Sequence, residues 1–170
     1  MQVLVYPNPL LRRGGAEVTR FDAQLLETAR AMFAAMYAEH GVGLAAPQVG
    51  LNLNLLVLNP TGDPAHPEDE KILLNPKIET QKGREYGEEG CLSFPGIYGE
   101  VERATSIVVA HFDERGVAPR ASYKDFLARI VQHEMDHLRG VLFVDRFSPT
   151  DKGRIKPRLA EMERRFGATA

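Results

Sequence analysis

Two histidines stand four positions apart at His133-Glu134-Met135-Asp136-His137, with a glutamate directly after the first. On a helix four residues make about one turn, so both imidazoles leave the same face and can share one metal ion. Glu134 precedes the second histidine by three, which puts its carboxylate beside the open position of such an ion. This is the H-E-x-x-H arrangement, and it requires a helix. The neighbours agree, since Phe126, Leu127, Ile130, Val131 and Leu138 supply an apolar face and Gly140 a stop. Ser122-Tyr123-Lys124-Asp125 reads as a capping box with Asp in the acidic place, so the helix is expected to begin near Ser122. The apolar neighbours count against two solvated histidines on a helix surface.

A catalytic metal site needs a third protein ligand and a vacant coordination place. The stretch after His137, LRGVLFVDRF, offers no glutamate or histidine at the usual protease spacings. The sole cysteine, Cys91 in EEGCLSFPG, is the natural candidate. A thiolate with two imidazoles suits Zn(II), Fe(II), Co(II) or Ni(II). Taken alone, Cys91 reads equally well as a buried inert thiol.

The rest of the chain supplies the frame. Its 170 residues suit one domain with a sizeable core, and 44% hydrophobic with 26% charged residues is ordinary for a globular protein. With 21 basic and 23 acidic residues the formal charge is −2, which gives no field for nucleic acid. One cysteine excludes a disulfide-stapled scaffold and fits a reducing compartment. The opening MQVLVYPNPLLRRGG is broken by Pro7 and Pro9 and is too short for a signal h-region, and no apolar run is long enough to span a membrane. A cytoplasmic protein is expected.

Residues 21–40 carry a helical stripe (Leu25, Leu26, Ala29, Met32, Phe33, Met36, Tyr37), with Asp22 or Thr19 to cap it and Gly41 to end it. The small residues of GVGLAAPQVG at 41–50 allow a close backbone approach, and that segment lacks the spacing of a nucleotide loop. Strands are expected at 53–58, 72–78, 98–102, 105–113 and near 117–122. The loop TGDPAHPEDEK between the first two carries a surface histidine, His66, while His111 reads as a strand residue. The segment 149–166 reads as a basic, solvated helix that Pro157 should break or start.

Three segments, GVGLAAPQ at 41–48, EGCLS at 89–93 and QHEMDHLRG at 132–140, stand in the order and separation of the three signature motifs of the peptide deformylases. The stretch VLVYPNPLLRRGGAEVTRFD also resembles that family's opening. The resemblance covers essentially residues 1–170 as a single catalytic domain, least characteristically the acidic loop at 61–70 and the tail after 150.

The resemblance implies an α+β fold: antiparallel strands around a central helix that carries the histidines, with a C-terminal helix outside. It implies Cys91, His133 and His137 as metal ligands and Glu134 as general acid/base. Gln48 and the backbone N–H of Leu92 hold the developing oxyanion. Val42, Gly43 and Leu44 form the strand-like edge that binds the substrate backbone, and Phe126, Arg129, Ile130 and His133 form one wall of a methionine pocket. As a long cation, Arg129 must point away or fold across the mouth. Glu89 and Arg103 match a carboxylate and an arginine near the site, expected as a buried ion pair.

The implied reaction is removal of the formyl group from the N-terminal methionine of nascent polypeptides. The resemblance suggests Fe(II) as the native ion, with Zn, Ni or Co able to occupy the site. The ribosome is a partner by family analogy, with the basic tail a candidate for docking; neither nucleic acid nor membrane is expected to bind the domain directly. In this scheme Glu134 takes a proton from the attacking water and returns it to the departing amine. Two rivals stay open: a metalloprotease cleaving internal peptide bonds, and a non-catalytic metal-binding domain, for which three ligands fall one short of the usual four.

Overall fold

The stripe led by Leu25 and Ala29 forms helix α1, Ala23–Ala38, in a computed structural model that describes residues 1–167. Asp22 caps it, its side chain accepting from the Leu25 N–H at 3.0 Å. The left-handed residue that closes the helix is His40, not Gly41. His40 takes a left-handed φ of 57°, and the Gly41 and His40 N–H groups return to the carbonyls of Met36 and Tyr37, which closes the last turn. Gly41 is small for another reason: a Cβ there would come within 2.7 Å of Leu92 Cδ1.

Seven strands follow. Strand β1 is Gly43–Ala45, β2 Leu55–Leu58, β3 Lys71–Lys82, β4 Glu85–Gly90, β5 Tyr98–Arg103, β6 Ser106–Phe112 and β7 Arg120–Lys124. Five make an antiparallel sheet in the order β1-β2-β3-β6-β7, while among the described residues β4 and β5 pair only with each other. Strand β2 is buried at every position, as its unbroken apolar run requires. β6 alternates, with Ile107, Val109 and His111 inward. Strand β1 overlaps the strand-like edge that the resemblance implied at Val42, Gly43 and Leu44, whereas β4 was not among the expected strands, because the glycines and glutamates of EYGEEG hid it.

Helix α2, Asp125–His137, lies against β1, β2, β6 and β7. It starts three residues later than Ser122. Ser122 belongs to β7, opposite Val108, and no side chain caps the helix. The Asp125 N–H instead donates to Thr105 O at 2.8 Å.

Helix α3, Pro149–Phe166, runs through Pro157. Residue 153, whose carbonyl a proline at 157 leaves without its donor, is a glycine in open space. Ile155 and Met162 anchor the helix by their buried side chains. The observed architecture is thus α+β, with a C-terminal helix. Among the described residues no helix is long and apolar enough to cross a membrane.

Candidate metal centre and peptide cleft

A cleft of about 520 Å³ opens between the outer edge of β1, helix α2 and the β4–β5 hairpin. Cys91 enters it from the turn after β4 and His133 from helix α2, with His137 one turn further along the same helix. Their candidate ligand atoms all lie within 4.8 Å of one another, with Cys91 Sγ 3.3 Å from His137 Nε2. His133 Nδ1 is held by Glu89 Oε2 at 2.8 Å, which leaves Nε2 to face the site. A divalent cation fits this donor set of one sulfur and two imidazole nitrogens. Glu134 Oε2 is buried beside it without a hydrogen-bond partner among the described residues, as is His137 Nδ1.

The supporting groups are close-packed. Gln48 Oε1 accepts the Ala45 N–H at 2.8 Å. That bond turns the Gln48 amide nitrogen toward Cys91 Sγ at 3.6 Å and Ser93 Oγ at 3.3 Å. Gly43 lies against Glu134, for a Cβ there would stand 2.7 Å from Oε1. Val42, Gly43, Gln48 and Leu92 line the cleft, as do Phe126, Arg129, Ile130, His133 and Glu134. Leu44 does not: its side chain is buried in the core with Met32, Met36 and Leu55, so only its backbone belongs to the β1 edge.

Arg129 folds back from the cleft. Its Nη1 donates to Val101 O at 2.8 Å and Glu89 Oε1 at 3.0 Å, and its Nη2 to Glu85 O at 2.9 Å. The ion pair expected of Glu89 and Arg103 is present and bidentate, at 2.9 and 3.0 Å, with both side chains at most 4% exposed. Two residues not singled out from the sequence complete the surroundings. Asp136, between the histidines, accepts from Arg103 and Arg146 at 2.6 Å each. Ser93, inside the quoted EGCLS segment, receives the Gln48 amide. His66 is exposed on its loop, bonded to Glu68.

Burial sets the electrostatics. It pushes the Glu134 carboxyl up to about 7, against the pull of His133. It also works against ionised Glu89, but hydrogen bonds from His133 and Arg103 outweigh it and bring that carboxyl down to about 2. His137 is driven well below the ordinary histidine value by burial and the His133 charge, which favours the neutral, ligating imidazole. His133 is held above that value by Cys91 and Glu89 despite its burial. The arrangement brings a buried carboxylate, one sulfur, two imidazoles and an amide donor close together.

The family model described as Polypeptide deformylase matches residues 1–153. The chain is 42% identical to Peptide deformylase 1B, chloroplastic/mitochondrial, of Arabidopsis thaliana, over 98% of its own length and 61% of that relative's. It is 41% identical to Peptide deformylase 1 of Shewanella oneidensis, over 94% of its own length and 93% of that relative's. Among solved structures, peptide deformylase from Plasmodium falciparum superimposes with a TM-score of 0.95 at 41% identity, covering 98% of each chain. The chain thus spans under two thirds of the Arabidopsis relative and nearly all of the bacterial one.

Proposed function

This chain belongs to the polypeptide deformylase family, and from that premise we propose that it removes the formyl group from the N-terminal formyl-methionine of newly made polypeptides, releasing formate. The observation that carries the reading is the convergence of Cys91, His133 and His137 beside the buried Glu134 carboxylate, whose Oε2 has no hydrogen-bond partner among the described residues. The three would hold one divalent ion, Fe(II) as the native metal with Zn, Ni or Co able to replace it. When bound, such an ion supplies Lewis acidity, which acidifies water and polarises a carbonyl.

The chain's own residues do the rest. Glu134 takes the proton of the attacking water, and a carboxyl near 7 can give it back to the departing methionine amine at neutral pH. The Gln48 amide and the Leu92 N–H donate to the developing formyl oxyanion. The edge of β1 at Val42, Gly43 and the Leu44 backbone pairs with the extended substrate as an added strand. Phe126, Ile130 and the stem of Arg129 line the methionine pocket beside His133.

Residues 1–170 act on this reading as one catalytic domain in the cytoplasm, a compartment supported by the lone cysteine. The ribosome is the proposed partner that brings nascent chains, with the basic residues of α3 as the docking candidate. The test is formate release and product mass on formyl-Met-Ala-Ser, acetyl-Met-Ala-Ser and an unformylated peptide with an internal Met-Ala bond. Formate release from the first alone is expected. The acetyl methyl is expected to collide with the close-packed groups around Cys91, Gln48 and Glu134, which a formyl hydrogen clears. Internal cleavage without formate would replace this reading with the protease one.

A further inference from the structure

We infer that Arg129 is a positioning residue for the metal centre: its guanidinium staples the hairpin that carries Cys91 to the helix that carries both histidines. The inference rests on reading those three residues as ligands of one ion. The ligands come from parts of the fold that share no strand ladder and whose apolar side chains fall mainly in different clusters. The β4–β5 hairpin is outside the five-stranded sheet. Helix α2 buries Ala128, Ile130, Val131 and Met135 in one apolar cluster, whereas Cys91 and Val101 belong to another, built on Phe94 and Phe143.

The His133 ring crosses the seam between the clusters, 5.6 Å from that of Phe143, and further links across it are polar. On its inner side Arg103 joins Glu89 of the hairpin to Asp136 of α2. On the cleft side the corresponding link is Arg129, only 14% exposed in its side chain. Glu85, Gly87 and Glu89 alternate along β4 and so share a face, and Val101 is the partner of Gly87 across the ladder. The Arg129 fork lies over that face and reaches both strands and the Glu89 carboxylate in one plane. Glu89 in turn fixes His133 Nδ1. Gly87 is the counterpart of this arrangement: a Cβ there would stand 2.9 Å from Arg129 Cζ and Nη2. A lysine could carry the charge but not the planar fork. Loosening the staple should therefore change the separation of Cys91 from the histidines and the aim of the His133 ring.

The test uses the protein loaded with Co(II), whose absorption bands report the ligand field and the thiolate bond without any turnover. Arg129→Met, Arg129→Lys and Gly87→Ala are compared with the wild type for those bands and for metal release to a chelator, with circular dichroism as the folding check. Shifted bands and release faster by about tenfold or more are expected in each folded variant, the size found when groups supporting a metal ligand are lost. Should Arg129→Met fail to fold, the other two variants decide. Wild-type bands and release rate in the folded variants, with or without a lower Tm, would overturn the inference. A wild-type protein that binds Co(II) with no thiolate band would instead overturn the ligand reading on which it rests.

Discussion

At Gly43 one added carbon reaches the proposed base. A Cβ there would stand 2.7 Å from Glu134 Oε1 and 2.9 Å from its Cγ, so Gly43→Ala must displace the carboxylate or the β1 edge. A misplacement of about 1 Å costs on the order of a hundredfold in rate, and that loss is expected in kcat, with metal content unchanged. Glu134→Gln should match or exceed it, because an amide of the same size cannot shuttle the proton that both halves of the reaction require. Metal content and formate release measured on one preparation of each variant check the pair; near-wild-type turnover in Glu134→Gln would assign the proton transfer to another group. At this scale much of the site was legible beforehand. His133, Glu134 and His137 declare themselves by helical spacing, and Cys91 by being the one cysteine. Asp136 was hidden in plain view, because a charged residue between two candidate ligands reads as solvent-facing until Arg103 and Arg146 are seen to enclose it. The path of Arg129 was not legible either, for nothing local in its helix tells where its guanidinium ends.

Among the elements, those with strong periodicity or unbroken apolar runs were readable: α1, α2, β2 and β6 bury most of the side chains that their patterns promised, but Phe126 at the start of α2 is 56% exposed at the cleft. Elements held by tertiary partners were not. Strand β4 has three glutamates and two glycines among six residues, a composition with poor strand propensity. It forms because β5 completes its ladder and Arg129 and Arg103 cover its inner face. In α3 the exposed Pro157 suggested a break that burial of Ile155 and Met162 overrides. That override has a cost, since proline in a helix interior is about 3 kcal/mol less favourable than alanine. Pro157→Ala should therefore raise stability by about 1–3 kcal/mol, read as a higher denaturant midpoint at unchanged slope. An unchanged or lower midpoint would mean that the backbone around Gly153 already accommodates the ring without strain.

Across the whole molecule, apolar clusters are joined by charge, and stability should depend on pH accordingly. Tyr123 on β7 lies in the cluster that packs beneath α2, 4% exposed, and burial pushes its phenol up to about 12. Tyr37, raised to about 12 by burial and by its bond to Glu70, adds to the same trend. The sign follows from the raised value: the fold favours the neutral phenol, whereas an unfolded chain ionises near pH 10. The stabilisation is complete below pH 10 and is lost as pH climbs from about 10 to about 12. For Tyr123 the amount is on the order of 2 kcal/mol across that window. Tyr123→Phe keeps the ring and removes the titrating group, so its stability should fall less steeply over the same range. Denaturant midpoints of wild type and variant at several pH values from 8 to about 12 measure the difference directly. Parallel curves would show that the Tyr123 hydroxyl ionises in the folded protein as readily as in the unfolded chain, and that the alkaline limit of this fold lies elsewhere.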